Sequence, residues 1–206
     1  LVKGGSWKKV SPEIKAAEGF EELRVATQTE ADEAARLQGI EPPKISLDPN
    51  FSAEEAQIAA KAQVRAITEY AALKEKYLAN PKVAVPDPAG GYKQITLNTD
   101  EWREIAFPGV YKGFNAEVTH EGAAILNNRL LAEALEMQKG KGNNTFLMVG
   151  GGAGSGKTSA LGDVYQSLLN EYPVVLDQVS GAAEKVISKL KRAADFGYNQ
   201  EYTFID

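Results

Sequence analysis

The chain has 206 residues with 23 basic and 28 acidic side chains, a formal charge of −5 that argues against broad electrostatic binding to nucleic acid or an anionic membrane surface. At about 150 residues per domain this length suggests one full domain plus an appendage, and the 43% hydrophobic and 25% charged fractions belong to a globular chain that can bury a core. The lack of cysteine excludes disulfides, thiolate zinc sites and a cysteine nucleophile, which fits a reducing, cytoplasmic compartment, and the single histidine, His120, excludes a multi-histidine metal site.

No apolar run approaches about 18 residues, and the opening LVKGGSWKKVSPE lacks the apolar core of a signal peptide, so no membrane segment is expected. With Leu1 at its start and Asp206 directly after an apolar run, the chain reads as a piece of a longer polypeptide. Residues 1 to about 50 mix charge, Gly and Pro around one helix, Phe20 to Leu37, with loose flanks. Ser52 and Glu55 form a capping box that opens a long amphipathic helix to Leu78, with Ile58, Ala62, Ile67, Ala71 and Leu78 on one stripe. Asn80-Pro81 ends it, and the stretch from Pro81 to Gly91 reads as a linker. Residues 1–80 are therefore expected to be a helical appendage that docks a protein partner.

Beyond the linker, short apolar runs alternate with helices. Tyr92 to Leu97 reads as a strand, Asp100 to Ala106 as a short helix and Ala116 to Gln138 as a long one. Thr145 to Val149 is a strand, Lys157 to Asn170 a helix, Pro173 to Leu176 a strand, Gly181 to Phe196 a helix and Tyr202 to Ile205 a strand. Such alternation predicts an α/β fold over residues 92–206, a parallel sheet with flanking helices, and the glycine-rich motif from Gly151 to Thr158 makes the P-loop NTPase type the expected one.

The strongest signal is Gly151-Gly152-Ala153-Gly154-Ser155-Gly156-Lys157-Thr158, followed by Ser159, which fits G-x-x-x-x-G-K-[ST] between an apolar strand and a helix. Glycines let successive N–H groups turn inward onto phosphate oxygens, and the following helix presents its positive end to the same anion. Lys157 would reach the β- and γ-phosphates of ATP or GTP, and the Thr158 hydroxyl would bind Mg²⁺.

Three acids stand at or beyond expected strand ends, where open α/β sheets bind ligands. Asp100 follows ITLNT, Asp177 ends PVVLD and Asp206 ends YTFID. Each has a functional reading as metal ligand or proton acceptor, Asp177 above all as a metal ligand. Each also has a plainer one: Asp100 and Glu101 as helix caps, Asp206 as a turn residue. Asp100 and Arg103 lie one helical turn apart, which suits a base beside a phosphate clamp. His120 would line an acceptor pocket or simply face solvent on its helix. Lys139 and Lys141 read as a solvated helix end, and Trp7 and Trp102 as packing residues.

The segment Leu97-Asn98-Thr99-Asp100-Glu101-Trp102-Arg103-Glu104, with Phe107-Pro108 and Tyr111, resembles the D-x-D-x-[FW]-R, proline, tyrosine signature of zeta-toxin-like kinases, a P-loop group related to polynucleotide kinases. The resemblance covers residues 92–206 and implies a Mg²⁺-dependent transfer of the γ-phosphate of ATP or GTP to a hydroxyl of a nucleotide-like small molecule. It gives Asp100 the part of general base and Arg103 that of its basic neighbour, with Lys157 completing the catalytic set. Asn98 stands where the first acid of the signature lies, and Leu176-Asp177-Gln178 replaces glutamate-glycine-threonine. The acid-arginine segment also precedes the phosphate loop instead of following it, so a permuted arrangement is expected to bring its strand beside the loop. The family's arginine-bearing lid would follow Asp206, which makes the kinase-like domain truncated at its C-terminus. The resemblance further implies a bacterial or phage-encoded protein, or one delivered into a host cytosol. The alternative function is a nucleotide-binding assembly module without kinase activity; an ATPase motor, lacking a recognisable second motor motif, ranks third.

Overall fold

The computed structural model describes residues 18–110, 116–141, 143–151, 171–177 and 183–205. Among them the fold is mixed α/β, with six helices and a five-stranded, mostly parallel sheet. The chain forms two compact units, Leu1–Leu73 with Arg103–Leu126 and Lys74–Trp102 with Asn127–Asp206. No helix among the described residues is long and apolar enough to cross a membrane.

The first unit is helical. Its elements are α1 (Glu18–Leu37), α2 (Ala53–Thr68), the start of α3 (Tyr70–Leu78), the end of α4 (Thr99–Ala106) and the first half of α5 (Ala116–Met137). The expected capping box is present: Glu55 donates its N–H to the Ser52 hydroxyl and returns its carboxylate to the Ser52 N–H at 2.7 Å. The single long helix expected from Ser52 to Leu78 is instead broken at Glu69, whose backbone leaves the helical region (φ −101, ψ 10). Thr68 turns its hydroxyl back onto the Val64 carbonyl at 3.1 Å, a local bond that competes with the regular ladder. After the break the buried face runs through Tyr70, Leu73 and Tyr77, and Ala71 of the expected stripe is exposed.

The flank after α1 was expected to be loose, but two glutamines strap it down. Gln63 accepts from the Ser46 N–H and donates to the Ser46 carbonyl at 2.7 Å, while Gln28 accepts from the Ile45 N–H at 2.8 Å. Ile45, Leu47 and Phe51 are thereby carried into a core rich in alanine, with Ala31, Ala35, Ala56, Ala59 and Ala60. Small side chains let helices approach closely, and Gly122 of α5 marks the tightest point. A Cβ there would stand 2.9 Å from both the Ala62 carbonyl oxygen of α2 and the Phe107 ring. Gly122→Ala should therefore lower stability by about 1–3 kcal/mol in urea denaturation, because the backbone clash outweighs the roughly 1 kcal/mol of helix propensity gained. A raised midpoint would show that α2 moves aside at no cost.

The second unit holds the sheet, with strands β1 (Ala84–Pro86), β2 (Tyr92–Asn98), β3 (Thr145–Gly151), β4 (Val174–Asp177) and β5 (Asn199–Ile205), and helix α6 (Ala183–Asp195). Strand order is β1-β2-β4-β3-β5. β2, β4, β3 and β5 are mutually parallel, and only β1 runs antiparallel, against β2. β1 arises inside the Pro- and Gly-rich stretch from Pro81 to Gly91, with Pro86 at the sheet margin where its missing N–H is tolerated. β4 is buried along its whole length, and β3 from Phe146 onward, as apolar strands of a parallel sheet should be. β5 starts at Asn199, ahead of the expected Tyr202, because Asn199 donates to Asn144 at the start of the ladder with β3. β4 lies between the acid-bearing strand β2 and the loop-bearing strand β3 and pairs with both. At the far end of α5, Gly140 takes a left-handed conformation (φ 76) that stops the helix, leaving Lys139 exposed.

Candidate active site

Because β2, β3 and β4 are parallel, their C-terminal ends share one edge of the sheet. Asn98 is the register partner of Asp177, and Asp177 that of Val149, so the three residues lie level across the edge. β3 then carries the chain to Gly151, the first residue of the glycine-rich motif. The remainder of that motif, Gly152 to Thr158 with Lys157, and also Ser159, Asp206, Trp7 and the expected helix Lys157 to Asn170, lie outside the described residues.

Asn98 is the hub of this edge. Its side-chain amide donates to Asp177 Oδ2 at 3.1 Å, and its carbonyl oxygen accepts from the N–H groups of Asp100, at 2.7 Å, and Glu101, at 3.3 Å. The cap of α4 is thus Asn98, and not Asp100 or Glu101. Glu101 instead accepts from the Asn80 amide at 3.0 Å, with Lys82 Nζ 3.6 Å away, and so ties α4 to the chain ahead of β1. The Asp100 side chain is left exposed on the first turn of α4 at this edge, and Asp177 is 8% exposed.

Tyr77 backs the hub from α3. Its hydroxyl accepts from the Asn98 N–H at 2.9 Å and donates to the Thr96 carbonyl at 3.0 Å. Burial pushes its pKa far above the ordinary tyrosine value, despite the opposing hydrogen bond with Asn98, so it stays a neutral structural group. Its ring stacks on Trp102, with centroids 3.9 Å apart and an interplanar angle of 15°. Trp102 is fully buried, a packing residue as expected.

Arg103 follows Asp100 by three residues in α4. Its side chain is buried at 8% exposure in the wall of a cavity of about 530 Å³ within the helical unit, lined also by Asp48, Phe51, Glu117, His120 and Glu121. His120 therefore lines a cavity, although it is also half exposed and its Nδ1 lies 2.9 Å from Glu121 Oε1.

Sequence reasoning treated Asn98 only as a departure from a signature and passed over Tyr77. The signal for Asn98 was present: an Asn at a strand end followed by two acids is a helix N-terminus. Nothing local signals Tyr77, whose partners are about 20 residues away in sequence.

Among the described residues no three His, Asp or Glu side chains form a cluster that would hold a metal alone. Asp177 nonetheless suits Mg²⁺, which proteins commonly bind through one or two carboxylates with phosphate and water completing its octahedron. A buried carboxylate at a strand end, oriented by an amide, is that kind of donor. Compared with known proteins, the chain matches no family model and shows no significant similarity to any curated protein.

Proposed function

We propose that the chain is a Mg²⁺-dependent phosphotransferase of zeta-toxin-like type, built on a P-loop nucleotide-binding sheet and moving the γ-phosphate of ATP or GTP to a hydroxyl of a nucleotide-like small molecule. The observation that carries this reading is the register that sets Asp177 of β4 level with Val149 of β3, two residues ahead of the glycine-rich motif on the adjacent parallel strand. Nucleotides bind open α/β sheets beyond the carboxyl ends of the strands, and P-loop enzymes hold Mg²⁺ between the loop Ser/Thr and an acid of this kind.

In this reading the loop amides from Gly151 to Ser159 and Lys157 hold the triphosphate. Thr158 and Asp177 would hold Mg²⁺, which when bound offsets charge on the phosphate oxygens. Asp100, exposed on the first turn of α4, accepts the proton of the acceptor hydroxyl as its oxygen bonds to the γ-phosphorus and the bond to the β,γ-bridging oxygen breaks. Few side chains are needed, because phosphoryl transfer rests on positioning and charge stabilisation.

Calorimetry with Mg²⁺·ATP and Mg²⁺·GTP tests the binding half. Lys157→Ala should weaken affinity by about 1.5–3 kcal/mol through loss of a charge-assisted contact. Equal affinities for the two proteins would overturn the assignment. Incubation with γ-labelled ATP and a panel of nucleotides, nucleotide sugars and dinucleotides tests transfer; binding without transfer to any of them would favour the assembly-module alternative.

A further inference from the structure

We infer that Asn98 is a positioning residue that aims the Asp177 carboxylate at Mg²⁺ and, with the same side chain, fixes the start of the helix that carries Asp100. The inference rests on the nucleotide reading above and adds a residue whose contribution the resemblance does not supply, since the corresponding family position is an acid.

The argument begins with valence. A carboxamide is the one compact side chain that presents a neutral donor and an acceptor from a single planar group. Asn98 uses both: the NH₂ donates to Asp177 Oδ2 at 3.1 Å, and the carbonyl oxygen takes the Asp100 and Glu101 amides at 2.7 and 3.3 Å. An Asp in its place would still cap α4 but would set a second carboxylate against Asp177 with no donor between them. The amide therefore orients the acid without adding like charge.

The group also has little freedom. Asn98 and Asp177 are register partners in adjacent parallel strands, so their Cα atoms are held by the ladder. The Asn98 backbone N–H is held by the Tyr77 hydroxyl at 2.9 Å, and Tyr77 is itself fully buried against Trp102. With its backbone pinned on two sides and its oxygen committed to two helix amides, the amide plane is set, and with it the direction of the NH₂ toward Asp177. Residues that orient metal-binding carboxylates in this way commonly change metal affinity by about 10- to 100-fold when removed.

The test is a double-mutant cycle on the whole chain with Asn98→Ser, Asp177→Ala and the pair. A serine hydroxyl still caps α4 but is too short to reach Asp177; Asn98→Thr serves the same purpose if the serine variant does not fold, and thermal melting checks both. The readout is the ratio of ATP affinities with Mg²⁺ and with EDTA, measured by calorimetry. Asn98→Ser should lower that ratio by about tenfold while leaving the affinity in EDTA within about twofold, and adding it to Asp177→Ala should lower the ratio no further. A full ratio in the serine and threonine variants, or losses that multiply in the pair, would overturn the inference while Lys157→Ala still weakens ATP binding. Wild-type binding that Lys157→Ala leaves unchanged would overturn the nucleotide reading itself and the inference with it.

Discussion

Asp100→Asn should lower kcat for phosphate transfer by about 10²–10⁴-fold and leave the affinity for Mg²⁺·ATP within about twofold. The split follows from where the residue stands. In the proposed reaction Asp100 is the general base on the acceptor hydroxyl, so its loss would fall on the chemical step and not on the donor nucleotide. The substitution is also structurally mild. α4 is capped by the Asn98 side chain through the Asp100 backbone N–H, which asparagine retains, and the Asp100 side chain is exposed. The charge that is lost also makes a helix-dipole contribution of about 0.3–1 kcal/mol. Single-turnover measurements with saturating ATP and an acceptor found by the panel would show the fall. Undiminished transfer would remove Asp100 from the reaction and leave a phosphate loop with its base unassigned.

Trp102→Ala should cost about 3–5 kcal/mol of stability in chemical denaturation, a large part of the 5–15 kcal/mol that holds a typical domain together. Trp102 is fully buried and lies flat on Tyr77, itself fully buried, so truncation leaves a cavity that a rigid ring cannot collapse into. Beyond the cavity, the stack supports the hydroxyl that takes the Asn98 N–H. Trp102→Phe keeps an aromatic face on Tyr77 and should cost less than half as much. A loss below about 1.5 kcal/mol in the alanine variant would mean that the Tyr77–Trp102 stack is not what holds the start of α4 to α3.

Much of the element order was legible because its signals are local. The period of Phe20 to Leu37, the Ser52 and Glu55 capping box and the apolar runs ITL, FLMV and VVL each act over a few residues, and each element stands within a few residues of its expected place. β1 was not legible, since three residues ending in proline carry no strand signal and pair only because β2 offers them an edge. The break at Glu69 was equally hidden, as the apolar stripe continues across it. The loop after α1 looked loose by composition because its restraints, Gln28 and Gln63, lie on helices 17 residues away from Ile45 and Ser46.

What the sequence by itself determined about this protein is the inventory: a strand leading into a glycine-rich motif, an acid at the end of β4 and an acid one helical turn from an arginine. These are readable because each depends on residue type and short spacing. Only the tertiary structure decided that β4 stands between the acid-bearing and loop-bearing strands, and that one neutral amide, Asn98, joins the buried Asp177 to the start of the helix bearing Asp100. The physical reason is that strand order and register are set by which apolar strands bury one another across the sheet, a long-range choice that leaves no mark on the local spacing of the residues it brings together.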